Sequence, residues 1–118
     1  VITVGSRDSL GSFEQMVMTA IHALKDDAYG VQIFKKICEL SGKIQNLGSM
    51  YVTLERLEKK GYVSSKESRT SERGGKPRRY CQVTKDGRQA LLESLEMTQR
   101  LTESFFKASR SEKWSRIK

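Results

Sequence analysis

The chain is short of the residues that hold metals and carry redox chemistry. Its 118 residues include one histidine, His22, and two cysteines, Cys38 and Cys81, far apart and without a CxxC. That falls below the four ligands of a structural zinc site, so neither a metal nor a cofactor is expected. The cysteines read as small buried hydrophobes in a reducing compartment. No stretch approaches the ~18 consecutive apolar residues of a spanning helix. No helical pattern sets a Lys/Arg-rich face against a Trp/Phe face, so a membrane surface is not an expected partner either. Val1–Gly11 has no basic run followed by an apolar one, and no secretory signal is expected there. There is no P-loop and no GxGxxG, and no Ser or Cys nucleophile is paired with the lone histidine. An enzyme is therefore not expected. The single proline, Pro77, falls in a turn.

Positive charge is plentiful. Twenty-two Lys and Arg against fourteen Asp and Glu give a net charge of +8, which favours anionic partners, nucleic acid first. The length suits one domain. Where the charge sits depends on the elements.

Phe13, Met16, Val17, Ala20, Ile21 and Leu24 recur at helical spacing and predict a helix over Ser12–Leu24, with Ser12 as N-cap and Gln15 completing a capping box. Tyr29, Ile33, Ile37 and Leu40, broadened by Val31, Phe34 and Cys38, mark a second helix that Gly42 stops. A third helix starts at Asn46, a preferred N-cap. Leu47, Met50, Leu54 and Leu57 form its buried face, and Gly61 ends it. The short link Gly42–Gln45 forces the second and third helices to pack at a steep angle, as in a helix-turn-helix. Tyr62-Val63 and Tyr80–Val83 then read as strands of a hairpin, with Arg73–Pro77 as its turn. Thr84 caps a fourth helix, along which Leu91, Leu95, Thr98, Thr102 and Phe105 follow 4-3-4-3 spacing, flanked by Leu92, Leu101 and Phe106. That line either packs back on the first helix or pairs with a second copy. Pairing is favoured, because Phe105 and Phe106 lie beyond the reach of a compact core. The fold class is thus mainly α with a small β-hairpin. It comprises a winged helix-turn-helix over residues 12–84, a dimerisation helix over 85–106, and flexible or extended termini at 1–11 and 107–118.

Two segments carry candidate chemistry. Ser49, Thr53, Arg56 and Lys60 share one face of the third helix, small at its start and cationic further on. Short side chains let a helix approach base edges, and Arg and Lys reach bases or phosphates. Gln45, Asn46 and Tyr51 are further candidate contacts, and the N–H groups near Asn46 suit a phosphate. Such a polar face is common on any amphipathic helix. The hairpin adds weight. Ser64–Val83 holds Lys66, Arg69, Arg73, Lys76, Arg78 and Arg79 against Glu67 and Glu72, a net +4. A cationic hairpin directly after a helix-turn-helix is placed as a wing, which lies along the DNA backbone or enters the minor groove. Arg73, Lys76, Arg78 and Arg79 are its expected contacts. Leu91, Leu95, Thr98, Leu101, Thr102 and Phe105 are the expected dimerisation residues.

The runs "AYGVQI", "LGSMYVTLERLEKKGYV" and "GGKPRRYCQVTKDGRQAL", in that order, resemble the PadR family of winged-helix transcription regulators. Gly48-Ser49-Met50-Tyr51 is similar to the family's recognition-helix signature, Leu54, Leu57 and Gly61 to its ending, and Lys76–Tyr80 to its basic wing strand. Tyr29-Gly30 matches the family's opening of the second helix, and Thr84 with Gly87 its entry into the last one. Two positions depart: Val52 stands where the family usually has Pro, and Cys81 where it usually has a second aromatic. The resemblance implies a cytoplasmic, nucleoid-associated bacterial repressor that binds double-stranded DNA as a homodimer, in some members released by a small aromatic effector. A ligand-stacking role is not carried over to Trp114, which lies in the basic tail. The competing expectation is a winged-helix interaction module that docks an acidic protein partner, since fold alone does not choose between the two.

Overall fold

The computed structural model describes residues 10–68 and 77–111. Asn46 sets the start of the helix that matters most. Its Oδ1 accepts a hydrogen bond from Ser49 N at 2.8 Å, satisfying one of the N–H groups that a helix start leaves unpaired. From there α3 runs over Leu47–Lys59, after α1 (Ser12–Leu24) and α2 (Gly30–Ser41). Gly42, at φ +75°, ends α2, and its N–H donates to Cys38 O. Gly61, at φ +81°, turns the chain out of α3. β1 (Val63–Glu67) and β2 (Arg79–Val83) follow as an antiparallel pair in the register Val63 to Val83 through Glu67 to Arg79. α4 (Lys85–Ser111) closes the order. This is a winged helix-turn-helix with a long last helix.

Three details differ from the sequence reading. The N-cap of α1 is Gly11, not Ser12. Glu14 rather than Gln15 supplies the reciprocal bond, its Oε1 accepting from Gly11 N at 3.1 Å. Cys81 is buried as expected, but Cys38 is only half-buried. α4 runs past residue 106 to Ser111, so the first part of the terminus expected as flexible or extended is helix.

A single backbone bridge onto the hairpin was not foreseen. Cys81 N donates to Ala28 O at 2.8 Å, and Tyr29 bridges Tyr80. The segment entering α2 is thereby tied to β2. Val17, Met18, Ile21, Ile33, Ile37, Met50 and Leu57 are fully buried between these elements. Thr84 docks α4 on them. Its hydroxyl donates to Gly61 O at 2.7 Å and accepts from Gly87 N at 3.0 Å, while Thr84 N donates to Tyr62 O. Only the first turns of α4, at Gly87, Ala90 and Leu91, are buried.

Candidate nucleic-acid interface

α3 packs on α1, and its buried residues are Met50, Thr53, Leu54 and Leu57. Thr53 is a correction. Expected on the open polar face, it is 4% exposed. It stands three residues after Met50 and four before Leu57, which puts it on their side of the helix. Leu47 departs in the other direction and is 48% exposed.

The remaining candidates divide. Asn46 and Ser49 are exposed at the start of α3. Tyr51 is 49% exposed, and its hydroxyl reaches the entry to α2. A Cβ placed on Gly30 would fall on that hydroxyl, so the glycine leaves room for the Tyr51 side chain at the entry to α2. Gln45 turns inward. Its Nε2 donates to Ser41 Oγ at 2.8 Å and its backbone N–H to Cys38 Sγ at 3.4 Å. It braces the turn rather than joining the open face.

Arg56 and Lys60 share a partner that sequence spacing did not reveal. Glu14, nearly buried, places Oε2 3.1 Å from Lys60 Nζ and 3.8 Å from Arg56 Nη1. Burial alone would push its carboxyl up. The Gly11 N–H, Lys60 and Arg56 outweigh that and hold it below its ordinary value of 4.5. A depressed carboxylate contributes stability that is present above its unfolded pKa and lost as pH falls through the folded one. Acidification below about pH 4.5 is therefore expected to destabilise the wild-type chain. Glu14→Gln should show a flatter profile, checked by urea midpoints measured from neutral pH to about 3. Equal acid sensitivity in both proteins would remove Glu14 from this role.

The wing is set against α3 by a second group. Arg79 Nε donates to Ser65 Oγ at 2.9 Å, Arg79 Nη2 lies 3.5 Å from Glu58 Oε2, and Ser65 Oγ donates to Glu58 Oε2. Arg78 sits with its guanidinium 4.2 Å above the Tyr29 ring, which meets Tyr80 edge-on at 5.5 Å. Arg78 and Arg79 thus emerge beside α3 in fixed places, next to a cleft of about 460 Å³ lined by Tyr29, Tyr51, Glu55 and Glu58. Lys66 is exposed on β1. Arg69, Arg73, Lys76 and Trp114 lie outside the described residues.

Of the expected pairing residues, Leu91 is a correction. It is 5% exposed and belongs to the core of its own chain, because it falls in the part of α4 docked by Thr84 and Gly87. Leu95, Leu101 and Phe105 are 39%, 63% and 58% exposed. Thr98 and Thr102 are exposed as well. Thr98 Oγ1 accepts from Gln15 Nε2 at 3.3 Å, and Thr102 Oγ1 donates to Thr98 O. Phe106, at 53%, meets Phe105 edge-on at 5.3 Å.

Among the described residues no group of His, Cys, Asp and Glu could hold a metal, and no helix is long and apolar enough to cross a membrane.

Comparison with known proteins gives this arrangement a family. Residues 20–93 match the model of the transcriptional regulator PadR-like family. A PadR family transcription regulator from Clostridium difficile R20291 is similar at 26% identity, with 82% of this chain and 97% of that one covered and a TM-score of 0.71. A PadR family regulator from Eggerthella lenta DSM 2243 is similar at 24% identity, covering 86% and 85%, with a TM-score of 0.69. BpsR of Bordetella bronchiseptica, whose DNA binding is regulated by 6-hydroxynicotinic acid, is similar at 17% identity, covering 83% and 66%, with a TM-score of 0.65. The last two are likenesses of fold alone. A search of curated proteins finds no match. The match spans well over half of the chain, including both helices of the motif and the hairpin, so the chain belongs to the PadR-like family of transcriptional regulators, DNA-binding proteins rather than enzymes.

Proposed function

We propose that this regulator is a dimeric repressor. Residues 12–84 form its DNA-binding unit, and the exposed length of α4 joins two copies. The open face of α3 enters the major groove. Arg78, Arg79 and Lys66 follow the phosphates, and Arg73 and Lys76, outside the described residues, are expected to join them. The observation that carries the reading is the fixed placement of Arg79 against Glu58 and Ser65, which brings a cationic hairpin alongside the exposed face of α3. Asn46 and Ser49 approach bases at the start of the helix. Arg56 reaches bases or phosphates in competition with Glu14, and Lys60 serves phosphate. A small aromatic effector that releases DNA is part of the proposal, supported by the regulation of BpsR by 6-hydroxynicotinic acid. The protein would act beside the nucleoid in the cytoplasm.

The test is selection of duplexes from a random pool, followed by gel shifts over a range of salt. A dimer that neutralises roughly 6–8 phosphates should give a log–log salt slope of about −5 to −7. Arg56→Ala should weaken the selected site more than random duplex, whereas Lys66→Ala should weaken both alike. A pool that enriches no sequence, with affinity indifferent to salt, would overturn the proposal in favour of an acidic protein partner docked on the wing.

A further inference from the structure

The outermost line of α3 is not its cationic side. At 100° per residue, the buried Met50, Thr53, Leu54 and Leu57 stand opposite Gly48, Val52, Glu55 and Lys59, all of which are exposed. Val52 is central in that line and 56% exposed. A β-branched residue is a mediocre helix former, and here its side chain gains little burial within its own chain. Gly48, one turn earlier, has no side chain. It leaves the backbone open to close approach, with only Asn46 Oδ1 near the place a Cβ would take.

An aliphatic side chain at the front of a groove-entering helix has one chemical match among the base edges of the major groove, the C5-methyl group of thymine. Apart from the small C5–H edge of cytosine, the groups that bases display there are chiefly hydrogen-bond donors and acceptors. Covering one of those with Val52 would strip its water without replacing the bond.

We infer that Val52 is a specificity-determining residue that packs on the C5-methyl group of a thymine in each half-site. The inference rests on the reading of α3 as the helix that enters the major groove. Glu55 and Lys59 continue the same line and bound the contact on its C-terminal side. Val52 acts at a base edge without a hydrogen bond, so it adds discrimination while leaving the phosphate contacts alone.

The experiment uses the full chain and the duplex enriched from the random pool. Each thymine in turn is replaced by deoxyuridine, which removes the methyl group and keeps the pairing. For the wild type, one thymine in each half-site should show a loss of about fourfold per methyl. Val52→Ser should bind the thymine and deoxyuridine duplexes equally, with the salt slope of the wild type. The inference is overturned if every thymine tolerates deoxyuridine, or if Val52→Ser keeps the full methyl dependence. Those results leave the DNA-binding reading standing. A pool without any enriched sequence overturns that reading, and the Val52 contact with it.

Discussion

Replacing Gly87 by Ala is expected to cost about 3 kcal/mol, at the upper end of what overpacking does, and to lower the melting temperature by roughly 10 °C. A Cβ on Gly87 would meet the backbone of Tyr62, its carbonyl oxygen first and its carbonyl carbon at 2.8 Å. A flexible side chain could move aside, but this strand-entry backbone is pinned from both ends. Tyr62 N donates to Leu57 O, and Tyr62 O accepts from Thr84 N. Relief would require α4 to lift away, which breaks the bonds of Thr84 to Gly61 and Gly87 and opens the packing of Ala90 and Leu91. Gly42→Ala is the informative comparison. Gly42 has open space around the place for a Cβ but φ +75°, so it should cost only about 1 kcal/mol of left-handed strain. Thermal and urea melts of the two variants check the ordering. A Gly87→Ala protein as stable as Gly42→Ala would mean that α4 is not held in this register.

The same residues show what was legible in advance. Thr84, Gly87, Gly42, Asn46 and the apolar periods are local signals, and each marks its element to within a residue or so. The Gly11 and Ser12 difference is a one-position slip of a cap, the scale on which helix ends are ordinarily uncertain. The misplacements of Thr53 and Leu91 have another origin. Both lie on faces correctly identified as faces, but the phase of the helix against its neighbours comes from packing. Counting Leu47 in the buried stripe of α3 rotated the expected open face toward Thr53. Counting Leu91 in the seam ignored the fact that α4 must first dock on its own chain. Glu14 and Lys60 are separated by 46 positions, and no local pattern announces such a pair.

That pair also changes how the cations of α3 act. Lys60 and Arg56 begin partly neutralised by Glu14, so contact with phosphate exchanges one ionic partner for another, and their net gain in affinity is smaller than for a solvated side chain. Arg79 is likewise committed to Glu58. A surface ion pair of this kind contributes little to stability, but it aims the side chain. The +8 charge of the chain therefore understates its organisation: part of it is spent on orientation within the interface and the rest on attraction.

The other large effect is expected on α4. Phe105→Glu should convert a dimer to a monomer and lower affinity for a two-half-site duplex by about 100-fold or more, because linked half-site binding gains 10²–10⁴ over single contacts. Leu95, Leu101, Phe105 and Phe106 leave an apolar face along a helix whose polar side carries Arg100. In the single chain Phe105 is 58% exposed, so a carboxylate there meets water and the fold should survive. Across the proposed seam the same carboxylate would be buried in an apolar contact, where an unpaired charge is costly. The loss should therefore appear in assembly and in DNA affinity while the helical signal stays close to wild type. Arg100→Glu, on the opposite side of the helix, should leave assembly intact. Sedimentation and gel shift on one and two half-sites read these outcomes directly. Affinity for a single half-site should fall little, since Phe105 does not touch DNA in this arrangement. A Phe105→Glu protein that stays dimeric, or a monomer that still binds two half-sites as tightly as the wild type, would mean that the exposed face of α4 serves another partner.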